Sequence, residues 1–532
     1  MASAVFVRLA DLLGLPVDYA KLAACLVMSF VLSPILPRLP RAWMRHMMNM
    51  GVSALFLLGV LQLYRGVVHL LGASLFTYAA VYFRLGGAKY MPWIVFVACM
   101  AHMLYTHCVR ELNHVPLTTI EISSMHMVLV MNLTSFAWSC RDGQLVAIDT
   151  LDEVQKAVRI TQMPSLLAYL GYCFYFPAVL AVVAFGLLVA QRRPLGQSAR
   201  DRIQSRAVWS AGVLVLNVVA FMIMGLQSRD VLDQMPTDTA EDWEVLAERM
   251  AGFPRALGSW AESLREVGTA LVSLVLMVGF SEPFSYDRLI RADDVLHTWP
   301  LWRRILFVQG AGLVARFRFY GVWSLSNAAC ILSGLAYHGV DPATHHARWT
   351  RCKNVFVMQI ELAHNWKEVL DAWNANTNMW LREAVYKRLA GQRKPGFGSF
   401  MGTFLASAIW HGIAPGYYLS FVTAALGQWL ARRLRKSVRP LFYADVRRPD
   451  PSWTNMSEYT LAQIVYACVS NIVTMSSVCY AVIPFFVLTL RGSLQAFHAV
   501  AWHYHILIFG GLLAFQLGAD KLLRPFSKVK RS

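Results

Sequence analysis

The sequence predicts an all-α polytopic membrane protein with roughly eleven transmembrane helices plus short re-entrant or interfacial helices. Three observations carry that reading. Hydrophobic residues make up 57% of the 532 residues, charged residues only 15%, and mean hydropathy is +0.44, whereas soluble domains carry about 25% charge. Apolar runs recur along the whole chain. The net charge of +18, from 49 Lys and Arg against 31 Asp and Glu, is gathered in loops between those runs, as in the cytoplasmic segments of membrane proteins. This composition excludes a disordered chain and argues against a soluble multidomain enzyme. Lipid headgroups or an anionic substrate at the membrane face account for the charge more simply than nucleic acid does.

A helix crosses about 30 Å of hydrocarbon with about 20 apolar residues. Candidate spans lie near 19–36, 52–64, 67–83, 91–106, 123–138, 164–190, 207–226, 267–281, 305–319, 321–337, 398–412, 414–431, 460–489 and 499–518. Several are short, and such runs are expected to tilt, re-enter or line a protein-walled cavity. Residues 1–90 read as N-terminal transmembrane helices, 91–515 as the core and 516–532 as a basic tail. Arg8, Asp11 and Asp18 interrupt any signal-peptide core at the N-terminus.

The loops give an orientation. Segment 192–206 carries Arg192, Arg193, Arg200, Arg202 and Arg206; segment 432–450 carries Arg432, Arg433, Arg435, Lys436, Arg439, Arg447 and Arg448. Both, with the tail, read as cytoplasmic. Segment 228–266 holds nine acidic residues and four arginines. One span separates it from the first basic loop, so it is expected in the opposite, luminal compartment. Trp243, Leu246, Met250 and Phe253 recur there at helical spacing, as in a small amphipathic cap. The last five residues, Lys-Val-Lys-Arg-Ser, resemble a dilysine retrieval signal and suggest the endoplasmic reticulum.

The common catalytic signatures are missing: there is no GxSxG elbow, P-loop, HExxH or glycine-rich dinucleotide turn. None of the fifteen histidines is followed five residues later by Asp. His345-His346 and His503/His505 lack a carboxylate or cysteine complement, so no metal is expected. The nine cysteines are scattered and read as small buried hydrophobes.

Two segments stand out. The first, Asp371–Arg388, reads DAWNANTNMWLREAVYKR. Three asparagines cluster between Trp373 and Trp380, and Asn374 and Asn378 share a helical face if the run is helical. Asn favours caps and loops over helix interiors, so this run beside membrane spans needs a polar destination. An interfacial helix explains the tryptophans and the basic residues, not the asparagines. In the second, the apolar run Ser399–Trp410 ends at His411, and Gly412, Pro415 and Gly416 then break the helix. Twelve residues rise about 18 Å, which puts His411 well inside a bilayer if the run starts at its face. An ionisable side chain at that depth is a functional candidate.

Together, WN-x-x-T-x-x-WL-x-x-x-x-Y and SA-x-WHG-x-x-PGYY resemble the membrane-bound O-acyltransferase family, specifically its lysophospholipid acyltransferase branch. MVLVMNLTSFAW at 127–138, PSLLAYLGYCFYFP at 164–177, Arg318–Trp323, Gly334–Gly339, Asn354, Glu361 and YAVIPFF at 480–486 extend the resemblance over roughly residues 90–515. Asn132, Val182-Val183 and Asn327 depart from the branch's Lys, Gly-Pro and Glu, which bears on chain and headgroup preference.

The resemblance implies transfer of an acyl group from acyl-CoA, as co-substrate and with no cofactor, to the free hydroxyl of a lysophospholipid. His411 matches the family's general base; an imidazole with a pKa of about 6.5 suits that task. Asn374 matches the second catalytic residue, stabilising the thioester oxyanion or orienting the acceptor. No Ser or Cys is tied to these motifs, so transfer is expected to be direct. The topology suggests an intramembrane chamber walled by Trp373, Trp380, Trp410, Tyr417 and Tyr418, with Glu361 a further candidate substrate contact. Arg382, Lys387, Arg388, Arg393 and Lys394 are candidate contacts for CoA phosphates. Alternatives are acylation of a protein, sterol or diacylglycerol, a polytopic transporter, or an inactive scaffold. The scarcity of intramembrane acids and the intact Asn374 and His411 weigh against the last two.

Overall fold

A computed structural model describes residues 2–13, 17–115, 119–179, 258–286, 288–291, 298–341, 346–391, 393–394, 396–451 and 455–523. The first basic loop, residues 228–257 of the acidic segment and the extreme tail lie outside the described residues. Among the described residues the chain is helical, with no strand beyond two isolated bridges, Val340 with Ala347 and Val355 with Trp373.

The chain forms two compact units. One comprises residues 1–279 and 317–354, the other residues 280–316 and 355–532. The first contains α1 (Ala2–Leu13), α2 (Val17–Leu32), α3 (Ala42–Ala54), α4 (Tyr64–Tyr82), α5 (Gly87–Leu112), α6 (Ser123–Gln144) and α7 (Gly258–Phe280). The long α8 (Leu301–Leu332) gives its first half to the second unit and its second half to the first. The second unit continues with α9 (Trp366–Ala372), α10 (Ala375–Trp380), α11 (Phe397–His411), α12 (Pro415–Val438), α13 (Leu461–Ala481), α14 (Leu490–Ala499) and α15 (His503–Gln516).

Five segments among the described residues are long and apolar enough to cross a membrane: Ala20–Arg38, Gly87–Leu112, Ser259–Phe280, Leu301–Leu332 and Leu461–Val487. The pair α14 and α15, bent by 81°, makes a sixth if counted as one span. The expected runs 305–319 and 321–337 are mostly one helix, α8, because no breaker separates them. The run 499–518 is instead interrupted at Ala501 and Trp502, which adopt φ values of 54° and 52°. The run 52–64 is broken by a π-helical turn, Leu55–Val60. The outward face of α13 suits lipid: Leu461, Val465, Val469, Ile472 and Val473 are all exposed and recur on one side.

The core of the second unit gathers Tyr286, Leu289, Phe307 and Val308 around Tyr480, Ile483, Phe497 and Ile508. It anchors the residues that follow α13, including the short helix Ile483–Val487. Thr460 and Gln463 start α13 with reciprocal side-chain-to-backbone bonds of 3.4 and 3.0 Å, satisfying donors that a helix start leaves bare.

Candidate active site

Both segments singled out in the sequence lie in the second unit. The first is built from a backbone switch. Asn365 caps α9 by accepting from the N–H groups of Lys367 and Glu368. The chain then leaves α9 extended at Trp373, paired with Val355, and the Phe356 N–H donates to the Ala372 carbonyl at 3.1 Å. Asn374 turns left-handed, φ 46° and ψ 48°, and α10 begins. That conformation suits Asn better than most residues. Asn374 therefore sits at the mouth of α10 rather than inside a helix. Asn378 is in its first turns, donating its N–H to the Asn374 carbonyl at 2.9 Å and its amide to Asp371 at 3.3 Å.

Beyond Trp380 the helix widens into a π turn, Leu381–Tyr386, before Lys387–Ala390 closes it. Such turns concentrate at functional sites. Glu383 lies in this turn and draws in the basic residues around it. It pairs with Arg382 at 3.0 Å and Lys387 at 2.7 Å, and its carbonyl accepts from Arg388 at 3.2 Å. Arg393 and Lys394 are exposed.

The second segment is explained glycine by glycine. α11 ends at His411 because Gly412 adopts φ 125°, which L side chains rarely adopt. Its N–H bonds to the carbonyls of Ala408 and Ile409 at 3.3 and 3.1 Å. Pro415 opens α12 at a position where its missing N–H costs nothing. Gly416 then lies against backbone: its N–H donates to the Leu488 carbonyl at 2.8 Å, and a Cβ there would sit 2.1 Å from the Pro484 carbonyl oxygen. The close approach locks the start of α12 to Ile483–Val487 and carries Phe485 to the histidine.

Four rings surround the His411 imidazole. Trp410 and Phe485 meet it edge-on at centroid distances of 4.8 and 4.9 Å, Tyr417 lies at 5.6 Å, and Phe421 stacks on it at 5.3 Å. Trp410 also approaches Trp380 at 6.1 Å, linking the two segments, and α11 packs on the π turn. Trp380 and Trp410 are buried; Trp373, Asn374, His411, Tyr417 and Tyr418 are half-buried. Edge and face contacts of this kind favour one orientation of the imidazole plane.

Glu361 is held differently from the other candidates. Its carboxylate receives Arg316 in a two-pronged pair, both contacts 2.7 Å, while Asn471 binds the carbonyls of Glu361 and Ala363 at 3.0 and 2.9 Å. It ties α8, α13 and the approach to α9 together. Phe421, Phe485, Arg316 and Asn471 join the site without being candidates on sequence. Phe485 lies within the YAVIPFF stretch, and Arg316 and Asn471 are polar residues inside the apolar runs 305–319 and 460–489, a signal of the kind that picked out His411; Phe421 had no distinguishing signal.

Among the described residues, His364, Glu368 and Asp450 are grouped closely enough to ligate an ion. Each carboxylate already has a cationic or N–H partner: Glu368 accepts from the His364 N–H at 2.7 Å, and Asp450 receives Arg435 at 2.7 Å and Arg439. Opposed by two guanidinium groups, Asp450 is a poor cation ligand, and we assign no metal to the group.

The model of the membrane-bound O-acyltransferase family matches residues 90–476. The "Lysophospholipid acyltransferase" of Schizosaccharomyces pombe is 32% identical over 96% of this chain and 88% of its own length. The protein of the same name in Saccharomyces cerevisiae is 31% identical over 99% of this chain and 79% of its own. Human "Membrane-bound glycerophospholipid O-acyltransferase 2" is 26% identical over 77% and 66%. With a family match across most of its length and such relatives along nearly all of it, the chain belongs to the membrane-bound O-acyltransferase family.

Proposed function

We propose that this acyltransferase carries an acyl group from acyl-CoA to the free glycerol hydroxyl of a lysophospholipid, with His411 as general base. The names and coverage of its relatives support the acceptor class. The observation that carries the chemistry is the enclosure of His411 by Trp410, Tyr417, Phe421 and Phe485. An imidazole in a ring-lined recess takes a proton from an alcohol and keeps water, the competing acceptor, away from the thioester.

The step balances without a covalent enzyme intermediate. One imidazole nitrogen takes the hydroxyl proton as the glycerol oxygen attacks the thioester carbon. Asn374 donates to the carbonyl oxygen as it becomes an oxyanion. The tetrahedral adduct collapses, the C–S bond breaks, and the imidazolium returns its proton to the leaving thiolate. The products are the diacyl phospholipid and free CoA. Trp373, Trp380, Trp410, Tyr417 and Tyr418 wall the chamber, and Glu361 with Arg316 braces it. Arg382, Lys387, Arg388, Arg393 and Lys394 form the basic rim that meets the CoA phosphates. Glu383 restrains the first three, so the exposed Arg393 and Lys394 carry most of that contact. The basic loop and tail face the cytosol, where acyl-CoA resides, with the protein in the endoplasmic reticulum membrane and the acidic segment on the luminal side.

The test is a substrate panel: purified protein in detergent or nanodiscs with lysophosphatidylcholine, -ethanolamine, -serine, -inositol and lysophosphatidic acid, each with saturated and polyunsaturated acyl-CoA. Thiol release matched by diacyl product supports the reading. Failure on every lysolipid, with turnover on diacylglycerol or a sterol, moves the acceptor to another class.

A further inference from the structure

We infer that Thr377 is a positioning residue that sets the polarity of the Asn374 amide, leaving its N–H₂ end to face the reaction. The inference rests on Asn374 being part of the catalytic pair. An asparagine at the start of a helix ordinarily turns its side-chain oxygen back to accept from the N–H of the second or third helical residue. Asn374 stands at that position and makes no such bond. Its Oδ1 accepts instead from the hydroxyl of Thr377, the third residue of α10, at 2.9 Å.

Thr377 is only 4% exposed, so the donor end of the bond is buried while the half-buried Asn374 keeps an accessible edge. The left-handed backbone of Asn374 and the hydroxyl of Thr377 thus replace an ordinary cap with a side-chain pair. With Oδ1 turned toward α10, the Nδ2 hydrogens point the other way. An amide held so is a hydrogen-bond donor to developing negative charge; it is badly placed to accept from the acceptor hydroxyl or from the His411 ring. Of the two roles for Asn374, the geometry favours oxyanion stabilisation.

Two shape-matched variants separate this from simple packing. Thr377→Val keeps the branched volume and loses the hydroxyl; Thr377→Ser keeps the hydroxyl and loses a methyl. Thr377→Val is expected to lower kcat by about tenfold or more, with KM for both substrates within about twofold and the thermal midpoint unchanged. Thr377→Ser is expected to retain most turnover. The opposite order, Ser impaired and Val active, would overturn the inference, because it is the signature of packing alone. Asn374→Asp tests the polarity: it keeps an acceptor for Thr377 and removes the donor. It is expected to be as slow as Asn374→Ala, and an Asp variant near wild-type rate overturns the donor role. Wild-type turnover in Asn374→Ala would instead remove the underlying reading of the site, a result distinct from failure of the Thr377 pair.

Discussion

The imidazole of His411 lies almost parallel to the ring of Phe421, 24° between planes and 5.3 Å between centroids. Phe421 is on α12 and His411 ends α11, so the stack joins the two helices across the break made by Gly412 and Pro415. A base has to present one nitrogen to the acceptor hydroxyl within hydrogen-bond reach, and a displacement of about 1 Å costs up to about 100-fold in rate. Phe421→Leu retains an apolar side chain and loses the flat face. It is expected to lower kcat by about tenfold or more with little change in KM, read from steady-state thiol release. Phe485→Leu, which removes the edge-on ring, is expected to act in the same direction.

The left-handed turn at Asn374 separates backbone need from chemistry. A non-glycine side chain in that region costs about 1–2 kcal/mol, less for Asn and nothing for Gly. Asn374→Gly and Asn374→Ala both lose the amide and are expected to be equally slow, by about 100-fold or more. In thermal unfolding, the Gly variant is expected to be the more stable of the two. An active Gly variant would show that only the backbone shape matters.

Gly416 and Gly398 provide a paired test of the helix break. A methyl at Gly416 meets the Pro484 oxygen at 2.1 Å and the Leu488 Cα at 2.7 Å, backbone atoms that cannot step aside. Gly416→Ala is expected to push α12 off Ile483–Val487, displace Phe485 and abolish turnover. Gly398, in the first turn of α11, has nothing within 4 Å of such a methyl. Gly398→Ala is expected to keep full activity. Activity and thermal midpoint of both variants, measured side by side, check the contrast.

The basic end of α12 and the stretch after it form a folded brace. Arg439 stacks on Tyr443 at 4.1 Å and Arg448 on Tyr459 at 4.2 Å, while Arg435 and Arg439 converge on the buried carboxylate of Asp450. Burial alone would raise the Asp450 pKa; the two guanidinium groups outweigh it and hold it below the ordinary carboxylate value. For a depressed carboxylate, the stabilisation is present above the unfolded pKa and is lost as pH falls through the folded one. Asp450→Asn is therefore expected to lower the thermal midpoint near neutral pH. The wild-type advantage should shrink as pH is brought below about 4. A constant gap between the two proteins across that range would contradict the pairing.

How much of this was legible in the sequence depends on the element. The helical, membrane-embedded class and the two motifs were readable because apolar runs, glycines and prolines act locally. The end of α11 and the start of α12 fall where His411, Gly412 and Pro415 predict, whereas α12 runs on to Val438, past the expected 431. The number of spans was not readable: α12 ends in Arg432, Arg433, Arg435 and Lys436, and α15 is cut off by two consecutive left-handed residues, neither a glycine. The asparagine cluster signalled a cap or loop, but not that Asn374 is the residue that turns left-handed; the π turn after Trp380 carries no composition signal, since Leu381–Tyr386 fit an ordinary helix nearly as well. Phe485 reaches His411 through tertiary packing, which no spacing rule encodes. Thr377 was visible at i+3 from Asn374, yet its role needed the cap geometry.

Under the proposed function, His411 is the base of an acyl transfer carried out in a ring-walled recess. The most direct measurement is single-turnover formation of diacyl product from lysophospholipid and acyl-CoA by His411→Ala, beside wild type at matched folded concentration. A loss of about 100-fold to 10,000-fold is expected, with an unchanged thermal midpoint and elution volume. Product formation at the wild-type rate by a folded His411→Ala protein would contradict it.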